Sequence, residues 1–246
     1  MAKKIGQFLG VNEIRDKEFL KQLFSEFLGT FIYLAIVLSA GLAYGKDKAY
    51  LALLVAWANG FIIATIVQIF GHVSGGHVNP AVTVGALVCA RIKPFKAVCY
   101  IIMHVLGSIA GARVAYAISA EMIREQLGAT VPFEHSTRGQ IFAWEFLMTF
   151  LLVAVVLSVT DYDRGARGLG SSSLAIGICI TGCISASHPY TGSLNPVRSL
   201  GPAVVMGVYN SHCIYWAGPL LGGLVAGLVY RFVLGVNRRE NSLEEE

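Results

Sequence analysis

Two asparagines, each followed at once by proline, are the residues of this sequence best placed to do chemistry. Asn79-Pro80 and Asn195-Pro196 each follow a glycine-containing loop and open a short apolar segment, 78–89 and 194–208. Asparagine suits the N-cap of a helix and proline its first position. The asparagine amide also carries two N–H donors for a passing oxygen. Three residues beyond Asn195 stands Arg198, whereas the residue three beyond Asn79 is Val82. A guanidinium inside an apolar stretch repels cations and donates hydrogen bonds to neutral solutes. Two carboxylates, Glu26 and Glu145, lie well inside apolar runs. They read either as a proton relay or as acceptors for loop backbone and helix ends, and their symmetric placement favours support. His77, two residues before Asn79, either lines a vestibule or holds the loop.

These residues need elements to position them. The chain has 246 residues, 55% hydrophobic and 14% charged, against about a quarter charged in a soluble domain. Lipid is therefore expected to solvate most of its surface. A bilayer core of roughly 30 Å takes about 20 apolar residues per helix. Six runs approach that length: 23–43, 50–70, 95–120, 141–159, 171–187 and 213–234, the fifth being the shortest. The segments opened by Asn79 and Asn195 are too short to span. Each is expected to be a half-helix starting at membrane depth, where irregular backbone is tolerated only beside protein or a water-filled cavity.

The halves of the chain repeat each other. Glu26-Phe27-Leu28-Gly29-Thr30-Phe31 returns as Glu145-Phe146-Leu147-Met148-Thr149-Phe150, and Asn79-Pro80-Ala81 as Asn195-Pro196-Val197. The step from Glu to Asn is 53 residues in the first half and 50 in the second. Gly107 and Gly111 have their echo in Gly218 and Gly222. Three spans per half force the second half to enter from the opposite side, which makes an inverted repeat with its site at the midplane. The repeats are expected at about 23–120 and 141–235, between an N-terminal segment 1–22 and a tail 236–246. The fold class is an all-α membrane protein with six transmembrane helices and two re-entrant half-helices.

Net charge is +4, and its distribution orients the chain. Segments expected inside carry Lys3, Lys4, Arg15, Lys17, Lys21, Arg91, Lys93, Lys96, Arg164, Arg167, Arg231, Arg238 and Arg239. The outer loops hold only Lys46, Lys48, Arg124 and Arg138. That bias puts both termini in the cytoplasm and leaves no reason to read a nucleic-acid surface. Arg113, near the outer end of the third span, reads as a snorkelling or subunit-contact residue. His72 reads as structural. The first 20 residues are polar and charged, so no cleavable signal peptide is expected. Cys89, Cys99, Cys179, Cys183 and Cys213 show neither metal-ligand spacing nor a secreted disulfide pattern. No cofactor is implied.

Taken together, the segments Ser74-Gly75-Gly76-His77-Val78-Asn79-Pro80-Ala81-Val82-Thr83 and Thr191-Gly192-Ser193-Leu194-Asn195-Pro196-Val197-Arg198-Ser199 resemble the paired signatures of the aquaporin (major intrinsic protein) family. The resemblance covers about residues 20–235 and implies a passive channel for water or small neutral solutes, one pore per subunit, and a homotetramer in the plasma membrane. It implies pore-midplane roles for Asn79 and Asn195, a charged guard in Arg198, and structural support from Glu26, Glu145, Pro80 and Pro196. Against the family pattern, Val197 replaces alanine and the second loop is one residue short. The outer constriction also departs. Asn59 falls where water channels have an aromatic, and the usual histidine position falls on Cys183 or Ile184. The familiar pore cysteine would fall near Gly192 or Ser193. Loss of the aromatic and the histidine suggests a wider ring that passes a small polyol, amide or peroxide beside water.

A glycerol or urea facilitator of the same fold is the nearest alternative, although that branch has Asp where Ser199 stands here. A membrane-junction protein with little flux is a second. An ion-coupled transporter would need more midplane ionisable groups, and no nucleophile–base constellation supports an enzyme.

Overall fold

The computed structural model describes residues 10–11, 16–40, 48–121, 127–161, 170–188 and 190–234. The loop 162–169, most of the N-terminal segment and the tail from 235 on, with Ser242, lie outside the described residues. Eight α-helices follow in order: α1 Lys17–Ala40, α2 Lys48–Ser74, α3 Pro80–Val88, α4 Pro94–Ile118, α5 Arg138–Val159, α6 Ser172–Ser187, α7 Pro196–Met206 and α8 Ile214–Val229, the last continuing as a π-helical turn, Tyr230–Leu234. There is no strand among the described residues.

Five of these helices, α1, α2, α4, α5 and α8 with its π turn, are long and apolar enough to cross a membrane. α6 has 16 residues, about 24 Å at 1.5 Å per residue. It is the run that was shortest in the sequence. α1 starts six residues before its apolar run. The Asp16 carboxylate accepts from the Glu18 N–H at 3.0 Å, a capping contact that starts the helix ahead of the continuous apolar run. Phe19 is buried and stacks on Phe95 at 6.2 Å. α5 begins with a reciprocal cap, in which the Thr137 hydroxyl accepts from the Gln140 N–H and the Gln140 side chain accepts from the Thr137 N–H.

Packing follows the repeat. α1 lies on α4 and α5 lies on α8, each through a pair of glycines. A Cβ on Gly107 or Gly111 would run into the carbonyl oxygens of Phe27 or Phe31, and one on Gly222 into that of Phe146. Gly60 of α2 and Gly177 of α6 meet in the same way, each Cβ position blocked by the other's carbonyl. Small residues thus let backbones touch where apolar burial gives little drive between helices in lipid. The half-helices α3 and α7 fill the gaps left by these close crossings. Gly85 of α3 rests against Gly223 of α8, and Gly201 of α7 against Ser108 of α4.

Candidate functional site

Each half-helix begins as its sequence dictates. Asn79 and Asn195 are N-caps in extended backbone, with φ of −153° and −149°, and proline occupies the first turn of both helices. Asn79 Oδ1 accepts from the Ala81 N–H at 2.8 Å, and Asn195 Oδ1 from the Val197 N–H at 3.1 Å. The amide nitrogens reach across the repeat. Asn79 Nδ2 donates to Leu194 O at 3.0 Å and Asn195 Nδ2 to Val78 O at 2.9 Å. Each NH₂ group has a second N–H. Capping and donation to a passing molecule are therefore compatible in one side chain.

The loops before them are held by the two buried carboxylates. Glu26 accepts from the His77 N–H at 3.0 Å, the Val78 N–H at 2.8 Å and the Ser74 hydroxyl at 2.6 Å. Glu145 accepts from the Ser193 N–H at 2.9 Å, the Leu194 N–H at 2.8 Å and the Thr191 hydroxyl. Both glutamates are fully buried. Val78 and Leu194 take positive φ, 43° and 56°, a region unfavourable for a side chain, above all a β-branched one. The carboxylates secure this strain, and the strained residues in turn turn their carbonyls toward the opposite asparagine. The Glu26 carboxylate also meets His104 Nε2 at 2.7 Å. The acceptor roles of both glutamates are filled by loop and helix groups, which favours the support reading over a proton relay.

Two cavities meet at this centre; the terms inner and outer follow the orientation expected from the basic residues. The inner one, about 40 Å³, is lined by Tyr33, His77, Asn79, Val82, Thr160, Ile184 and Asn195 among others. The outer one, about 180 Å³, is lined by Val55, Thr130, Phe133, Ile184, His188, Gly192 and Arg198 among others. Ile184 is the residue common to both linings, so it stands where the two cavities approach each other. Val82 faces the inner cavity and Arg198 the outer one, so the guanidinium lies on one side of the midplane. Arg198 Nη1 donates to Gly128 O at 2.7 Å and Thr130 Oγ1 at 2.8 Å. Its buried Nε has no protein acceptor among the described residues.

A family model for the major intrinsic proteins matches residues 13–230. The chain belongs to the major intrinsic protein family. It is 40% identical over 223 residues to the lens fiber major intrinsic protein of Lithobates pipiens, a match covering 90% of this chain and 84% of that one. It is 39% identical over 224 residues to aquaporin-2 of Ovis aries, covering 90% and 82%. Among solved structures, the aquaglyceroporin from Plasmodium falciparum shares the fold, with a TM-score of 0.76 at 22% identity over 88% of this chain and 97% of that one. This major intrinsic protein is thus an integral multi-pass membrane protein and a passive channel, not an enzyme.

The residues expected at the outer constriction take different positions in the structure. Asn59 is 1% exposed and is not on either cavity's lining. Its side chain is spent on Tyr33 and on Val55 O, and Val55, one turn earlier, faces the outer cavity. Of the two candidates on α6, Ile184 faces the passage. The Cys183 thiol turns instead toward α5, 3.9 Å from Met148 O. Ser193 lines the inner cavity rather than the outer one. Its hydroxyl donates to Asn195 O at 2.9 Å and pairs with Ser199 Oγ at 2.6 Å inside the loop. Gly192 does line the outer cavity. His77 lines the inner one and also holds the loop, with Nδ1 2.9 Å from Thr83 Oγ1. Arg113 and His72 are exposed on the helix surfaces.

Sequence reasoning did not single out Tyr33, Val55 or Thr130. Tyr33 is seven residues after Glu26, two helical turns on the same face, and that periodicity is a signal that points to it. Thr130 lies in a loop whose path no periodicity gives.

Gly192 gives a sharp test of the ring's geometry. A Cβ there would meet Ile184 Cγ2 at 3.7 Å, an ordinary contact. Gly192→Cys is therefore expected to fold, conduct, and become blocked by an external mercurial, while Cys183→Ser leaves the parent's response unchanged. Stopped-flow water flux with and without the mercurial checks both.

His188, at the end of α6, adds a pH expectation. Burial pushes its imidazole below the ordinary value, so the ring is neutral at pH 7. The folded state then binds fewer protons than the unfolded one as pH falls, and stability declines on acidification from about pH 6.5 downward. Protonation would place a second cation in the cavity that holds Arg198. Water flux is expected to stay flat above that pH, with any acid-side change absent in His188→Leu.

Proposed function

We propose that this channel conducts water as its main permeant and excludes ions and protons. The paired amides of Asn79 and Asn195 at the facing half-helix N-termini carry that reading. A water there meets N–H donors and two positive helix ends. Its oxygen turns to the amides, so its hydrogens point away along the passage in both directions, and a proton wire through it is broken. A cation at the same place meets positive potential and then Arg198. Family membership supports a homotetramer with one pore per subunit. The charge bias supports cytoplasmic termini, as expected for a plasma-membrane protein.

The reading of a wider ring rests on Asn59 and on the missing histidine. Asn59 is buried against Tyr33 and Val55 O, which weighs against the first, while Ile184 stands for the second. We read the approach of the two cavities beside Ile184 as the narrowing, which favours water over polyols. Proteoliposome swelling in water, glycerol and urea gradients tests this. Water flux well above protein-free vesicles, with glycerol and urea much slower, is the expected result. Glycerol flux keeping pace with water would support the facilitator reading, and absence of all flux the junction-protein one.

A further inference from the structure

We propose that Asn59 is a positioning residue for the ring: it holds the Tyr33 phenol in the wall of the passage, so that α1 supplies the aromatic group that α2 lacks. This rests on the reading of the narrowing beside Ile184 as the selectivity ring.

The Tyr33 hydroxyl donates to Asn59 Oδ1 at 2.7 Å. The Asn59 Nδ2 donates to Val55 O, also at 2.7 Å. The second bond fixes which way the amide points. With its nitrogen turned to Val55 O, the amide presents its carbonyl oxygen to the phenol. Both side chains are buried, Tyr33 at 3% and Asn59 at 1% exposure, so water cannot easily replace either partner. The position of the pair matters as much as its geometry. Tyr33 lines the inner cavity and Val55 the outer one. Asn59 therefore ties together wall residues from the two sides of the narrowing. Tyr33 packs in the same apolar cluster as Val55, Ile63 and Ile184. A phenol released from Asn59 would carry an unpaired buried hydroxyl, and rotation toward the passage or toward Arg198 would reshape the opening.

The tests are Asn59→Leu, which keeps the size and removes the acceptor, Tyr33→Phe, which keeps the ring and removes the donor, and Tyr33→Ala, which removes the ring. Asn59→Asp is the conservative variant, since a neutral carboxyl both accepts and donates. The readout is the ratio of glycerol to water flux per folded channel in proteoliposomes. Tyr33→Ala is expected to raise that ratio by about tenfold, the scale on which apolar sites discriminate by size. Asn59→Leu and Tyr33→Phe are expected to shift the ratio, and Asn59→Asp to restore the parent value. The Asn59→Leu/Tyr33→Phe double variant should show less than the sum of the single effects, because both polar partners are then gone. A role in folding alone would change the yield of channels and leave the ratio fixed. If Asn59→Leu fails to fold, Tyr33→Phe and Tyr33→Ala decide. Parent channels that conduct water while the ratio stays unmoved in every folded variant would overturn the pairing. Parent channels without water flux would overturn the water reading on which it rests.

Discussion

Arg198→Val is expected to make the channel leak cations while water flux persists. A charge at membrane depth is disfavoured by about 2.5–3.5 kcal/mol, and a fixed guanidinium adds repulsion for any second cation in the same cavity. Repulsion between two unit charges about 8 Å apart at an effective dielectric of about 20 is about 2 kcal/mol, so its removal corresponds to roughly a thirtyfold rise in cation conductance, at about 1.4 kcal/mol per factor of ten. The fold should tolerate the change. Val82 already fills the equivalent position on α3 at 5% exposure. Of the groups released, Gly128 O and Thr130 Oγ1, Thr130 lines the outer cavity, where water can reach it. Electrical recording on bilayers containing the variant measures the effect. Conductance equal to the parent's, in channels that still pass water, would remove Arg198 from the exclusion mechanism.

Glu145→Leu is expected to abolish the folded channel rather than tune it. The substitution strands the Ser193 and Leu194 N–H groups and the Thr191 hydroxyl, all of which the carboxylate now accepts from. A buried donor left unpaired costs about 1–3 kcal/mol, so three cost about 3–9 kcal/mol. That approaches the whole stability of an ordinary domain, about 5–15 kcal/mol. The positive φ of Leu194 would lose the contact that secures it, and with it the alignment of the carbonyl that Asn79 uses. Size-exclusion profiles of the detergent-extracted variant should show aggregate or no recoverable protein. Glu145→Gln, which retains one good acceptor, should fall between. A monodisperse, water-conducting Glu145→Leu channel would contradict the support role.

The half-helices were legible because their signals are local and doubled. Asn at the cap and Pro in the first turn specify a helix start, and the inverted repeat says that both starts face one another. Glu26 and Glu145 were legible for the same reason. What the sequence did not disclose was direction around a helix axis. α2 is apolar on nearly every face, as a helix between lipid and protein must be, so spacing from Asn79 marks the level of Asn59 but not the side it faces. On α6 the shortened loop before Asn195 left Cys183 and Ile184 a full helical step apart in orientation, and only packing against Met148 selects between them. The early start of α1 was hidden because charged residues around Phe19 and Leu20 break the apolar run there, and the Asp16 cap carries no apolar signal. Thr130 and Gly128 reach Arg198 through a connection between α4 and α5 whose course depends on tertiary contacts alone.

The channel is expected to combine fast water passage with no proton passage. Proteoliposomes loaded with a pH-sensitive dye and mixed against an osmotic step and a pH step report both in the same preparation. The facing Asn79 and Asn195 amides predict water flux well above that of protein-free vesicles, with proton entry no faster than through lipid. Proton entry that rises together with water flux, or water flux no higher than lipid alone in a well-folded preparation, would contradict it.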